Sequence, residues 1–340
     1  MRYPDHGGDI AWAERTFGHP KSEWVDLSTG ISPWSWPVPS IPTDIWRSLP
    51  PSCDVLHQCA AKYFGCDEQM LCAISGSQYF ISSIPRLQIK ARVCLPKVAY
   101  SEHEKNWAAH GHDVSHYESV DELIECLTHS ETDYAVIVNP NNPSTEFISA
   151  DQIDSCVNAI EKNNHNCTLI IDEAFIDTYP QGSYVERLQS NNVIILRSIG
   201  KFFGLAGVRL GFVIGMPSTI ESLSSLSAPW SVNHPSIYIG ERALNDIAWV
   251  NSQRARIAAS ASELSALLSG RYTCVKSAGL FVSVFDRYSS LEKEFSCFAE
   301  EGKIFLRLIA LNNGKGILRF GLPGAAFDYV KTFIEQMETR

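Results

Sequence analysis

Five short apolar runs set the fold class of this chain. Residues 92–95, 134–138, 168–171, 193–196 and 210–214 are dominated by Val, Ile and Leu and lack the polar alternation of a strand with one wet face. Such strands are covered on both sides, the condition of a parallel sheet flanked by helices. The segments between them supply helices: 54–64 and 150–162 space their apolar residues helically, and Ser149 stands where an N-cap is expected. An α/β fold with a mostly parallel central sheet follows.

A chain of 340 residues exceeds what one hydrophobic core usually organises. Residues 1–50, rich in Pro, Trp, Gly and Ser, read as an irregular N-terminal arm laid over the small domain and the active site. Residues 51–240 form the large domain. Residues 241–340, with a helix over 257–268 and strands near 279–285 and 317–320, form a smaller α+β domain.

The net charge of -10 disfavours nucleic acid and anionic membrane as partners, because both recruit Lys and Arg. No long apolar run and no apolar leader after Met1 is present, which implies a cytoplasmic protein. The ten cysteines lack Cys-x-x-Cys or His/Cys spacing, so they read as reduced, mostly buried thiols, with no metal site.

Polar residues follow several strands, where open α/β sheets bind ligands. Asp172 and Glu173 follow 168–171; an acid there is either a helix cap or a working group. Lys201 follows 193–196 in Ser198-Ile199-Gly200-Lys201, with Phe202 and Phe203 behind it. It is either a loop cation or an amine whose pKa is lowered by apolar neighbours until it can act as a nucleophile. Arg209 stands eight residues on, so both cations can face one anion. Ser75, Gly76, Ser77 and Gln78 precede a helical run and offer either a cap or N–H groups for a phosphate. Residues 139–143, Asn-Pro-Asn-Asn-Pro, make a rigid turn that also fixes an Asn amide as a donor.

In this order, these pieces resemble the fold-type I pyridoxal-phosphate family of aminotransferases and their relatives, over nearly the whole chain. That family carries Asn-Pro-x-Asn-Pro, Asp-Glu-Ala, Ser-x-x-Lys and Arg-Leu-Gly in succession, here at 139–143, 172–174, 198–201 and 209–211. The resemblance implies pyridoxal 5'-phosphate held by Lys201 as a Schiff base, with Lys201 later moving protons. It implies Asp172 at the ring nitrogen, Asn142 at the phenolic oxygen, and Ser77, Gln78, Ser198 and Arg209 at the phosphate, with Ser75 and Gly76 in the same cradle. His103 matches the aromatic that stacks on the ring. Phe175 departs from the Tyr of many relatives and cannot donate to the phenolic oxygen. The resemblance also implies a closed homodimer, since relatives build each active site at a subunit boundary.

Within the family, 6–9 (His-Gly-Gly-Asp), 26–33, 228–233 and 318–324 resemble the threonine-phosphate decarboxylases of cobalamin biosynthesis, neighbours of the histidinol-phosphate aminotransferases. This implies a small phosphorylated amino acid as substrate, bound by His6, Gly7, Gly30, Asn142, Arg307 and Arg319. Guanidinium forks suit both carboxylate and phosphate, and which arginine takes which anion stays open. Relatives usually carry Asn at 30 and 32, where this chain has Gly30 and Ser32, so a substrate contact from that loop also stays open. One residue list serves decarboxylation and transamination alike. A catalytically silent protein on this fold is the third reading.

Overall fold

The computed structural model describes residues 3–129, 131–163, 166–224 and 228–338. Its strands are β1 (Val25–Asp26), β2 (Leu71–Ile74), β3 (Arg92–Pro96), β4 (Asp113–Tyr117), β5 (Tyr134–Val138), β6 (Thr168–Asp172), β7 (Val193–Ser198), β8 (Gly211–Gly215), β9 (Val275–Ser277), β10 (Phe281–Arg287), β11 (Ile304–Phe305), β12 (Arg307–Ala310) and β13 (Lys315–Gly321). Contacts divide the chain into two compact units. The larger is Trp36–Asn142 with Glu146–Val250, and the smaller is Met1–Ser35 with Pro143–Thr145 and Asn251–Arg340.

The larger unit holds one sheet in the order β2-β8-β7-β6-β5-β3-β4. Strands β3 to β7 run parallel. Val93, Val136, Ile170, Ile194 and Leu196 pack one face of the sheet with Phe80, Ile84 and Trp107 from the covering helices. Each such side chain contributes about 1.5–3 kcal/mol on burial, which is why these strands are apolar throughout. β4 escapes that rule: at the sheet edge it reads Asp-Val-Ser-His-Tyr and exposes most of it.

β8 corrects the expectation that 210–214 is one more parallel strand, because it runs antiparallel to both β7 and β2. A parallel return needs a crossover that runs back along the sheet, usually a helix. The connection from β7 to β8 carries only the one-turn helix Ile199–Phe202 and a 3-10 turn over Ala206–Val208, too short for a crossover, so the chain turns straight back. The helix Ala150–Lys162 begins as expected, with a capping box between Ser149 and Gln152.

In the smaller unit β12-β13-β10-β9 form an antiparallel sheet, and β1 pairs in parallel with β11. The N-terminal stretch is therefore not an irregular arm: Asp9 caps a helix over Ile10–Phe17 and β1 adds to a sheet. Its aromatics find cover within the unit, with Trp12 5.8 Å from Phe305 and Phe17 6.2 Å from Phe295 between ring centroids.

The expected boundaries at 50/51 and 240/241 fall instead at 35/36 and 250/251. Hydrogen bonds explain the first shift: Trp36 donates its backbone N–H to Phe203 O at 2.9 Å and its indole N–H to Asp246 at 3.1 Å. All ten cysteines are free, but only Cys59, Cys94, Cys156 and Cys167 are buried; the rest are half-buried. No helix among the described residues is long and apolar enough to cross a membrane.

Candidate active site

Sheet register gathers the strand ends. Ile74 pairs with Gly211, Gly211 with Ser198, Leu196 with Asp172, and Asp172 with Val138. Residues 75–78, 139–142, 172–175, 198–201 and 209 therefore leave the sheet along one edge, where open α/β sheets bind ligands. They enclose a cavity of about 180 Å³ whose walls include Ser77, Gln78, Asn142, Asp172, Ser198, Lys201 and Arg209. Tyr100 and Phe175 line it too.

One end of this cavity suits an anion. Gly76 precedes the helix Ser77–Leu87 at φ 77°, with no side-chain cap, so the first-turn N–H groups keep their positive pole. A Cβ on Gly76 would stand 2.8 Å from Arg209 Nη2, and one on Gly211 would stand 2.7 Å from Ser77 N. Both glycines thus allow the arginine and the helix start to converge. Arg209 is itself left-handed at φ 54°, a conformation that costs a non-glycine residue about 1–2 kcal/mol and recurs at functional sites. Gln78 spends its side-chain amide elsewhere: Oε1 accepts from the Tyr100 hydroxyl at 3.0 Å and Nε2 reaches Ser82 and Glu102 at 3.4 Å. Its backbone N–H, at the helix start, is the group available to an anion.

At the other end stands Asp172, 3% exposed, with Oδ1 accepting from Ala174 N at 3.1 Å and Oδ2 3.0 Å from His103 Nε2. This corrects the ring-stacking role expected of His103. Its imidazole is buried against Asp172, and Tyr100, three residues earlier, lies on the cavity wall instead. Both are aromatic and flank the start of the helix Ser101–Ala109, so residue type and position do not separate them. Burial, with Glu102 and Asp172 nearby, pushes the Tyr100 phenol up to about 12, so it stays a neutral donor.

Glu173 is spent on structure. Side chains alternate along a strand, and Glu173 accepts from Tyr184 N and Ser183 Oγ, each at 2.7 Å, beside Arg197. Burial raises its pKa, and the charge of Arg197 opposes that rise. Arg197 donates to Asp177 at 2.6 Å and lies 4.4 Å from the centre of the Phe64 ring.

Asn142 reaches the cavity because its turn is clamped. Asn139 Nδ2 donates to Ile148 O and its Oδ1 accepts from Ile148 N, both at 2.9 Å, while Asn141 Nδ2 donates to Val98 O at 2.7 Å. Lys201 sits on the one-turn helix Ile199–Phe202, anchored by the fully buried Phe202 and Phe203, the latter stacked on Trp249 at 5.5 Å. Its Nζ lies 5.8 Å from the centre of the Phe175 ring.

Residues 46–325 match the family described as aminotransferase class I and II. The chain belongs to that family. The threonine-phosphate decarboxylase of Pseudomonas aeruginosa is 35% identical over 266 residues, covering 78% of each chain. Among solved structures, the histidinol-phosphate aminotransferase of Sinorhizobium meliloti in complex with pyridoxal-5'-phosphate superposes with a TM-score of 0.84 at 19% identity, over 99% of this chain and 96% of that one. The L-threonine-O-3-phosphate decarboxylase of Porphyromonas gingivalis gives 0.72 at 17% identity, over 92% and 99%.

As a class I and II aminotransferase relative, the chain is a pyridoxal-phosphate enzyme, and its cavity fits that cofactor. The glycine-lined cradle at Gly76 and Gly211 suits a phosphate, Asp172 a protonated ring nitrogen, Asn142 a phenolic oxygen and Lys201 an aldehyde.

The substrate residues expected from sequence lie in the smaller unit, Asn142 excepted. Arg307 on β12 and Arg319 on β13 are direct cross-strand partners. Like charges placed so are destabilising by about 0.2–1 kcal/mol unless an anion intervenes. Burial first, then the charge of Arg307, lowers Arg319 to about 9, with Asp26 opposing. Burial lowers Arg307 too. Arg319 Nη2 donates to Ser28 O at 2.5 Å, and Arg307 donates to the carbonyls of Pro4 and Asp5, just before His6 and Gly7. His6 is exposed, Gly30 is buried, and Gly7 presses on Ser28 so closely that a Cβ would meet its carbonyl oxygen at 2.1 Å.

Proposed function

We propose that the enzyme decarboxylates L-threonine O-3-phosphate to (R)-1-aminopropan-2-yl phosphate and CO2, in the cytoplasm, for cobalamin biosynthesis. The observation that carries this reading is the Arg307–Arg319 cross-strand pair. Two adjacent guanidinium groups, one of them buried, call for a substrate with two anionic groups, and this amino acid has a carboxylate and a phosphate. The decarboxylase relative of Pseudomonas aeruginosa supports the same choice.

When bound, pyridoxal phosphate withdraws electrons from whichever bond at the substrate's α-carbon stands perpendicular to its ring. In this reading Asp172 holds the proton on the ring nitrogen, with His103 fixing the carboxylate. Asn142 orients the phenolic oxygen, and Ser77, Gln78, Ser198 and Arg209 bind the phosphate. Lys201 would hold the cofactor through its amine and, with that amine free, would supply the proton that the substrate's α-carbon takes up in place of CO2. Arg319 receives the substrate carboxylate and Arg307, with the His6–Gly7 backbone, the substrate phosphate.

The deciding assay is incubation of purified holoenzyme with L-threonine phosphate and no keto acid. Release of CO2 and aminopropanol phosphate is expected. Turnover that appears only with 2-oxoglutarate would instead assign an aminotransferase for a phosphorylated amino acid such as histidinol phosphate, and no turnover on either substrate would assign a silent relative.

The working form in this reading is a homodimer. Trp46, Leu49, Val55 and Trp230 are exposed on the larger unit, where the helices Thr43–Arg47 and Asp54–Phe64 both pack on His234–Asn245. Large exposed apolar side chains at neighbouring positions mark association surfaces. Sedimentation is expected to give a dimer, and a fully active monomer would overturn it.

A further inference from the structure

A buried amide anchors the 30–34 loop of the smaller unit. Gln253, on the helix Ile247–Ser269, is 1% exposed. Its Nε2 donates to Ser32 Oγ at 2.7 Å and to Trp34 O at 3.0 Å. Ser32 is buried too; its hydroxyl donates to Trp34 O at 3.0 Å and accepts from Trp34 N at 3.2 Å. A buried amide is costly unless bonded, so Gln253 and this loop hold each other in place. Arg256, one helical turn on, lies 5.4 Å from the centre of the Trp34 ring.

The loop's earlier part is held differently. Asp26 Oδ1 accepts from Ser28 N at 2.9 Å and from Ser28 Oγ at 2.6 Å, while Arg319 donates to Ser28 O. A Cβ on Gly321 would meet Thr29 O at 2.3 Å, and one on Gly324 would meet Pro33 at 2.8 Å, so the loop is packed hard against β13 and the turn after it. Gly30 and Ser32 carry no side-chain amide. An amide reaches the loop from the helix instead.

We propose that Gln253 is a positioning residue for substrate binding: it holds 30–34 in the shape that lets the Ser28–Arg319 end of the loop receive the substrate's carboxylate. This rests on the functional reading above, in which Arg319 takes that group. Gln253 acts through Ser32 and Trp34, without touching the substrate. Its loss should therefore weaken binding and spare the chemical step.

The test uses the full-length holoenzyme and Gln253→Met, which keeps length and loses both donors. The KM for L-threonine phosphate is expected to rise about tenfold with kcat within about twofold, and cofactor absorbance is expected to stay unchanged. Hydrogen exchange of the peptide spanning 28–36 is expected to speed up. Ser32→Ala added to Gln253→Met should cost little more than Gln253→Met alone, as coupled residues do. Unchanged KM and exchange, or a fall in kcat at constant KM, overturns the proposal. If Gln253→Met does not fold, Gln253→Asn, which keeps the amide one methylene short, is expected to show a smaller effect in the same direction, and no effect overturns the idea. If the wild-type enzyme turns over no phosphorylated amino acid, the functional reading has failed, and the exchange rate of 28–36 alone decides whether Gln253 holds the loop.

Discussion

His103 Nε2 and Asp172 Oδ2 stand 3.0 Å apart with both side chains buried, so the acid at the base of the cavity is held from behind by an imidazole. Replacing His103 by Phe removes a hydrogen bond to a charged group, worth about 1.5–3 kcal/mol. Cofactor affinity, read by absorbance titration, is expected to fall tenfold or more. Unchanged affinity would show that Ala174 N alone suffices to hold the carboxylate.

Lys201→Ala removes the amine that, in the proposed function, holds the cofactor. The purified variant is expected to lack the absorbance band that borohydride bleaches in the wild type, and its turnover should fall by about 10²-fold or more. A variant that keeps both band and rate would end the cofactor assignment.

Gly76→Ala introduces a Cβ 2.8 Å from Arg209 Nη2 at a residue with φ 77°. The left-handed strain alone costs about 1–2 kcal/mol, and Arg209 must also move. Free phosphate should then compete less well against cofactor rebinding to the apoenzyme, and cofactor affinity should drop about tenfold. Gly207→Ala, with nothing within 4 Å of the new Cβ, is the matched control.

Arg319 sets an alkaline limit. Burial, and then the charge of Arg307, lower its pKa from the ordinary guanidinium value to about 9. Below about 9 it is cationic and binds an anion, and above it this charge is lost. The kcat/KM is therefore expected to fall as pH rises through about 9, a limb absent from the residual activity of Arg319→Gln. Stability moves the other way. From about 9 up to the ordinary guanidinium value the unfolded arginine binds more proton than the folded one, so the arginine's penalty on folding is relieved as pH rises.

Arg197→Met leaves Glu173 and Asp177 buried without their cation. Breaking a buried pair from one side costs about 3–5 kcal/mol. The urea midpoint is expected to drop accordingly, and a variant as stable as wild type would show that the acids take up protons at little cost.

Much of the larger unit was legible before any coordinates. The apolar strands had to be covered on both faces, and Asn142, Asp172, Ser198, Lys201 and Arg209, at or near the strand ends, line one cavity. Three readings failed where two alternatives share one local pattern. Tyr100 and His103 are both aromatics beside the same helix start, and only the packing shows which faces the cavity. The 210–214 run is as apolar as its neighbours, so nothing in it reveals that it runs backwards. The N-terminal stretch looks irregular because β1 is two residues long and gains its hydrogen bonds from β11, far along the chain.

Local order along the chain was enough to point to the fold class and, through the ordered motifs, to the cofactor. Burial, strand punctuation and turn chemistry act between near neighbours and leave their mark in residue type. Only the tertiary structure decided that His103 backs Asp172, that Arg307 and Arg319 face each other across β12 and β13, and that Gln253 reaches Ser32. Those pairings depend on register and packing between distant segments, and a hydrogen bond made there leaves no pattern in either segment alone.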